Sequence, residues 1–100
     1  MKIKFPKTIN IGTKVFKVTH DSKLGGEFEW NSGTLRICDK KSPEETLNII
    51  THEIFEIWTV ALYLRYERPD TYSSYEFHFD HQHFTNLCEM ASKTLSEFIK

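Results

Sequence analysis

The fold of this chain is decided by residues 42–65, SPEETLNIITHEIFEIWTVALYLR, which have the pattern of one long amphipathic helix. Ser42 can cap the first turn, Pro43 suits the first helical position, and the two glutamates that follow complement the positive end of the helix dipole. At 100° per residue, one face is apolar. Its members are Ile50, Ile54, Ile57, Trp58, Ala61, Leu62 and Leu64. The pattern predicts a helix that ends at about Arg65.

The opposite face of this helix carries the residues that can do chemistry. It consists of Asn48, His52, Glu56, Thr59 and Tyr63, with Glu53 beside it. Residues i and i+4 lie about 6 Å apart, so His52 and Glu56 can direct a nitrogen and an oxygen at one divalent ion. Glu53 would face the open side of the ion, where a carboxylate can take a proton from bound water. A solvated helix face explains the same pattern, and both interpretations stay open.

The first forty residues have the pattern of two strand pairs. TINIG and KVFKV bring β-branched and aromatic residues to either side of Gly12, and GGEFEW and TLRIC flank the turn sequence NSG. Alternation places Phe28 and Trp30 on one face of their strand, and Leu35 and Ile37 on one face of theirs. These patterns predict a small antiparallel sheet with one apolar face.

The last third of the chain predicts a break, an extended segment and a second helix. Pro69 breaks the long helix, and YEFHFD alternates as a short strand does. Asp80 can cap a helix that runs from about His81 to Ile99. Its apolar positions are Phe84, Leu87, Cys88, Ala91, Leu95 and Phe98.

His81 falls on the apolar stripe of this second helix, one turn before Phe84. If the two helices pack together, His81 enters their seam and can complete a metal set with His52 and Glu56. His83 is the substitute if the helix is rotated, and His78 is a more distant one. Two histidines and one glutamate are typical ligands of catalytic zinc.

The element order predicts one α+β domain over residues 1–100, with a small antiparallel sheet of N-terminal hairpins packed on a long central helix and a C-terminal helix.

A net charge of -1 gives no electrostatic footprint for nucleic acid. Cys38 and Cys88 have no CxxC pairing, which favours reduced thiols. No stretch approaches the ~20 apolar residues of a membrane span. We expect a cytoplasmic protein without nucleic-acid or membrane partners.

Three stretches resemble the small SprT-like and ImmA-like HExxH metallopeptidases of phages and mobile elements, which are members of the zincin group. GEFEWNSGTLRI resembles their strand, turn and strand, SPEETLNIITHEIFEIW resembles their HExxH helix, and HQHFTNL resembles the later helix with the third ligand. The resemblance implies a zincin-like fold in which His52 and His81 bind zinc and Glu53 is the general base. Glu56 stands where the family has its second histidine.

This HExxE variant leaves three functions open. The first is a zinc-dependent peptidase with metal ligands His52, Glu56 and His81, acting on a peptide or protein. The second is an inactive phage or mobile-element protein that binds a host protein through the same scaffold, and the third is a structural metal site without turnover. The resemblance also implies that the strand Thr34 to Cys38 is a sheet edge where an extended peptide can be added.

Overall fold

The structure, a computed structural model, describes residues 2–22, 25–67 and 75–100. Its elements follow the predicted order of four strands, a long helix, an extended link and a terminal helix. They are β1 (Thr8–Ile11), β2 (Lys14–Asp21), β3 (Gly26–Glu29), β4 (Thr34–Cys38), α1 (Pro43–Ala61), β5 (Arg65–Glu67), β6 (Tyr75–Phe77) and α2 (His81–Ser96). The α+β class is therefore confirmed. The link contains a small second sheet, in which β5 and β6 pair antiparallel.

The four-stranded sheet has the strand order β1, β2, β4, β3. β1 and β2 form one antiparallel hairpin through the turn at Gly12, and β3 and β4 form another through residues 30–33. Each turn contains a glycine in the left-handed conformation, Gly12 at φ 64° and Gly33 at φ 66°. Glycine adopts this conformation without a steric penalty. Both hairpins predicted from the sequence are confirmed.

The sheet is mixed, however, and not wholly antiparallel as predicted, because β2 and β4 run parallel. β4 lies between β2 and β3, although β3 precedes it in the chain. Burial explains this order, since β4 carries the buried residues Leu35 and Ile37 whereas β3 alternates two glutamates with Phe28. A charged strand is tolerated at a sheet edge. The apolar strand therefore occupies the interior position.

Helix α1 begins as predicted. The hydroxyl oxygen of Ser42 accepts a hydrogen bond from the backbone N–H of Glu45 at 3.2 Å, and Pro43 is the first helical residue. The apolar face of the helix packs on the sheet, where Ile50 and Ile54 have no exposed surface. The cap and the packing thus act on the same segment. They leave His52 exposed, whereas Glu53 and Thr59, which the sequence places on or beside the polar face, are buried.

The helix ends at Ala61, four residues before its predicted end at Arg65. Tyr63 has a left-handed backbone at φ 59°, and the N–H groups of Tyr63 and Leu64 donate to carbonyls in the last turn of α1. This is the Schellman arrangement that closes many helices. The apolar pattern of the sequence continues past Ala61, but the turn buries Leu64. Tertiary packing therefore ends the helix before the pattern does. The break predicted at Pro69 lies outside the described residues.

Replacing Tyr63 with glycine is expected to stabilise the protein by about 0.5–1 kcal/mol. A left-handed conformation costs a non-glycine residue roughly 1 kcal/mol, and the Tyr63 side chain is 83% exposed, so little packing is lost. Urea unfolding measures the difference. Ala61→Gly is the control, because at Ala61, the last residue of α1, glycine relieves no left-handed angle and should instead destabilise the protein by about 0.5–1 kcal/mol. Similar losses in both variants would contradict the argument.

Helix α2 packs on the core through its middle and C-terminal parts. Asp80 caps it as predicted, by accepting a hydrogen bond from the backbone N–H of His83 at 2.9 Å. The indole N–H of Trp58 donates to the Thr94 hydroxyl at 3.0 Å, which joins α1 to α2 across a buried seam. The buried residues in this part of the chain are Leu87, Ala91, Thr94 and Phe98. Phe84 is exposed rather than buried, because the packed part of α2 begins one turn later.

Two further expectations concern the environment of the protein. Neither helix in the described part of the chain is both long and apolar enough to cross a membrane. Cys38 is buried, Cys88 is partly buried, and both thiols are free. The absence of a bridge between them agrees with the reduced thiols that their spacing predicts.

Candidate metal site

Three potential metal ligands lie together on the outward side of α1. One ligand atom each of His52, Glu53 and Glu56 lies within 4.8 Å of the others, and no other such group occurs among residues 2–22, 25–67 and 75–100. The Nε2 atom of His52 is 3.1 Å from Oε2 of Glu56 and 3.7 Å from Oε2 of Glu53. Ligand atoms around a tetrahedral zinc lie about 3.3 Å apart. The three side chains are therefore close enough together to hold a metal ion.

Glu53 is the buried member of the group. Its side chain is only 9% exposed, because α1 packs against β3 at this point. The two elements lie close together at Gly26, where an added Cβ atom would lie 3.2 Å from Cγ of Glu53. No residue in the described ranges donates a hydrogen bond to the Glu53 carboxylate, and its nearest charged partner is His52. Among the described residues, only Oδ1 of Asp39 is both shielded from solvent and without a partner, so the Glu53 oxygens keep a narrow contact with water. A cation or a proton would further stabilise this partly desolvated carboxylate.

The electrostatics of Glu53 follow from this position. Burial raises the pKa of its carboxyl above the ordinary value, the neighbouring His52 opposes the shift, and the Glu56 and Glu27 carboxylates add to it. The group therefore holds a proton more readily than an exposed glutamate does. That property suits a carboxylate that takes up a proton during a reaction.

Glu56 is held from two sides. Its Oε2 atom faces His52, and its Oε1 atom accepts a hydrogen bond from Nη1 of Arg65 at 3.1 Å. Both partners of this ion pair are largely buried, and the guanidinium also lies 5.6 Å from the ring centre of Phe28. Sequence reasoning missed Arg65, because it was predicted as the end of the helix. The turn at Tyr63 instead starts β5 there and directs Arg65 back to α1.

His52 is the open member of the group, with a side chain that is 70% exposed. The sequence assigned it as the first metal ligand and Glu56 as the second, and the structure brings these two together. The group thus has a buried side at Glu53 and a side at His52 that solvent and a ligand can reach. A catalytic metal site needs such an open position.

His81, the predicted third ligand, is not part of the group. It is the first residue of α2, in the exposed turn that precedes the packed part of this helix. The substitutes are also engaged elsewhere, since His83 pairs with Asp80 at 3.3 Å and His78 pairs with Glu76 at 3.1 Å. Helical periodicity placed His81 on the stripe that meets α1, but the seam between the helices does not extend to its first turn. Glu53 is instead the third residue that lies together with His52 and Glu56.

The sheet edge beside the site is β3 and not the strand Thr34–Cys38, which the family resemblance implied. That strand, β4, is paired on both sides, with β2 and with β3. In the described part of the chain, β3 has a partner on one side only, and it is the strand nearest to Glu53. An extended segment added to this sheet would therefore pair with β3.

Comparisons of the chain with models of protein families, with curated proteins and with solved structures find no match. The resemblance to the metallopeptidases thus stays a prediction that rests on the three stretches quoted above. The candidate site rests on the geometry of His52, Glu53 and Glu56.

Proposed function

We propose that the protein binds one divalent ion, zinc, through the group on α1 and acts as a zinc-dependent peptidase. Its single strongest support is the convergence of three ligand atoms from His52, Glu53 and Glu56 within 4.8 Å. A nitrogen and carboxylate oxygens are ligands that zinc accepts. The burial of most of the Glu53 side chain beside His52 adds to this support, because a bound cation would stabilise a partly desolvated carboxylate.

The roles of the residues follow from their surroundings. His52 and Glu56 would hold the ion, and Arg65 would keep Glu56 oriented through the outer oxygen of its carboxylate. Zinc in such a site lowers the pKa of bound water and polarises a carbonyl group. Glu53 would lie beside the ion without binding it and would take the proton from the bound water, for which its raised pKa is favourable. The free side of β3 would align an extended peptide beside the group.

A second candidate function is supported by the ion pair between Glu56 and Arg65. This pair satisfies the Glu56 carboxylate without a metal. It therefore favours a protein that uses the same scaffold for binding only, such as a phage or mobile-element protein that docks on a host protein. The two candidates differ in one measurable property, the affinity for zinc.

Metal content tests the proposal. Untagged protein is purified without chelator, and elemental mass spectrometry is applied to the wild type, His52→Ala and His81→Ala. We expect close to one zinc per chain in the wild type and in His81→Ala, because His81 lies outside the group. His52→Ala should lose more than the 10- to 100-fold in affinity that is typical of an outer-shell change.

Two other outcomes have a definite meaning. Loss of zinc in both variants would support the ligand set predicted from the sequence, in which His81 is the third ligand. Absence of zinc from the wild type, even after zinc is added, would reject metal binding and leave the binding protein as the function. Circular dichroism of each variant shows whether it is folded.

A further inference from the structure

A groove of about 410 Å³ lies directly beside the candidate metal site. One wall is the outward face of α1, and the other comes from β6, the link after it and α2. The residues that line the groove include Thr51, His52, Glu56, Thr59, Phe77 and Phe79. Grooves of a few hundred cubic ångströms are large enough for a side chain or a small ligand. The groove therefore opens on the same surface of α1 as the metal group.

The two threonine hydroxyls of the α1 wall are engaged within the helix, which leaves Asn48 and His52 as the donors of this wall. The hydroxyl of Thr51 donates to the carbonyl of Leu47 at 2.7 Å, and that of Thr59 donates to the carbonyl of Glu56 at 2.6 Å. Both hydroxyl protons are therefore used within the helix. A polar or charged side chain that entered the groove would lose water without gaining these hydrogen bonds. The wall consequently favours an apolar occupant.

The opposite wall is aromatic and exposed. Phe77 and Phe79 are two positions apart and are 47% and 40% exposed, and Phe79 stacks on Phe84 with ring centres 5.9 Å apart. Large apolar side chains that are grouped at the surface mark a binding site more often than scattered ones do. A ligand that covers these rings gains the hydrophobic free energy of their burial.

The groove and the metal site share two residues, His52 and Glu56. A side chain seated between α1 and the aromatic wall therefore belongs to a ligand whose backbone passes the open side of the group. We propose that the groove holds one large apolar side chain, aromatic or branched aliphatic, of an extended peptide. This inference rests on the proposed function for the position of the peptide, and it adds the chemical class of the residue that the peptide must contain.

A titration followed by NMR tests the inference. Zinc-treated, ¹⁵N-labelled protein is titrated with the capped tripeptides acetyl-Ala-Phe-Ala-amide and acetyl-Ala-Ser-Ala-amide. We expect the phenylalanine peptide to bind at least tenfold more tightly and to shift the amide signals of residues 51–59 and 77–79. Phe77→Ser should weaken its binding at least tenfold. Val15→Ser is the matched control, because Val15 is also an exposed apolar residue but does not line the groove.

The outcomes separate this inference from the proposed function. Equal affinity for the two peptides would overturn the inference, and so would shifts of amide signals outside the groove. A wild-type dimer that becomes monomeric in Phe77→Ser would also overturn it, because a second copy of the chain would then occupy the groove. The zinc content of the same samples decides the proposed function on its own. Phe77→Ser should retain its zinc, since Phe77 is not a member of the metal group.

Discussion

Glu53→Gln is expected to increase the free energy of unfolding of the metal-free protein by about 1 kcal/mol at pH 7, the lower end of the cost of a desolvated polar group, because His52 and a narrow contact with solvent partly compensate the carboxylate. The Glu53 carboxylate is buried against β3 and has no hydrogen-bond donor in the described part of the chain. Glutamine removes the charge and keeps the shape. A substitution at a proposed catalytic position should therefore stabilise the fold, which is the trade-off expected of a functional residue.

The pH dependence of this effect has a defined sign. Burial raises the pKa of Glu53 in the folded protein, whereas in the unfolded chain it is about 4.3. Below that pH both states are protonated, and the two proteins should be equally stable. As the pH rises, the unfolded state ionises first, so the wild type loses stability until the pH passes the raised pKa of the folded state. The advantage of Glu53→Gln should thus be small at pH 4, grow as the pH rises, and level off once the pH exceeds the raised pKa of the folded state.

Zinc should reverse the order of stability. A ligand that binds only the folded state at 1,000 times its dissociation constant stabilises a protein by about 4 kcal/mol, and the wild type should gain this amount. Glu53→Gln should gain less, because an amide compensates a cation poorly. Urea unfolding with chelator and with excess zinc measures both effects, and Glu89→Gln, a change at an exposed helix position, is the control. A loss of stability in metal-free Glu53→Gln would show that the carboxylate is satisfied without a cation.

Gly26→Ala is expected to destabilise the protein by about 1–3 kcal/mol, the usual penalty of overpacking. An added Cβ atom would lie 2.5 Å from Cγ2 of Ile49 and 3.2 Å from Cγ of Glu53. The first distance is too short for any contact, so either the Ile49 side chain or α1 itself must shift. Because Glu53 lies at the same junction, zinc affinity should fall together with stability.

The chain offers a close control for this prediction. Gly25 is the preceding residue, and an added Cβ atom there meets no atom within 4 Å, so Gly25→Ala should change stability by less than about 0.5 kcal/mol. Ile49→Ala removes the methyl group that an alanine at position 26 would strike. In the background of Ile49→Ala, Gly26→Ala should therefore have a smaller effect. Equal effects of Gly25→Ala and Gly26→Ala would contradict the close packing of β3 on α1.

The sequence by itself determined the elements whose signals are local. Ser42 and Pro43 mark the start of α1, Asp80 marks the start of α2, and Gly12 and Gly33 mark the turns of the hairpins. Each of these signals acts within a few residues, through a hydrogen bond to the nearby backbone or through a backbone angle. The pairing of His52 with Glu56 was predictable for the same reason, because their spacing of four residues is one turn of helix.

The tertiary structure alone decided the features that join distant parts of the chain. The parallel pairing of β2 with β4 depends on which strand is best buried, and the end of α1 depends on the burial of Leu64. Neither is visible in a periodic pattern. The third member of the metal group was decided in the same way, because α2 meets α1 beyond the turn that carries His81, and β3 encloses Glu53. Periodicity defines the face of a helix, but contacts between elements determine how far that face is covered.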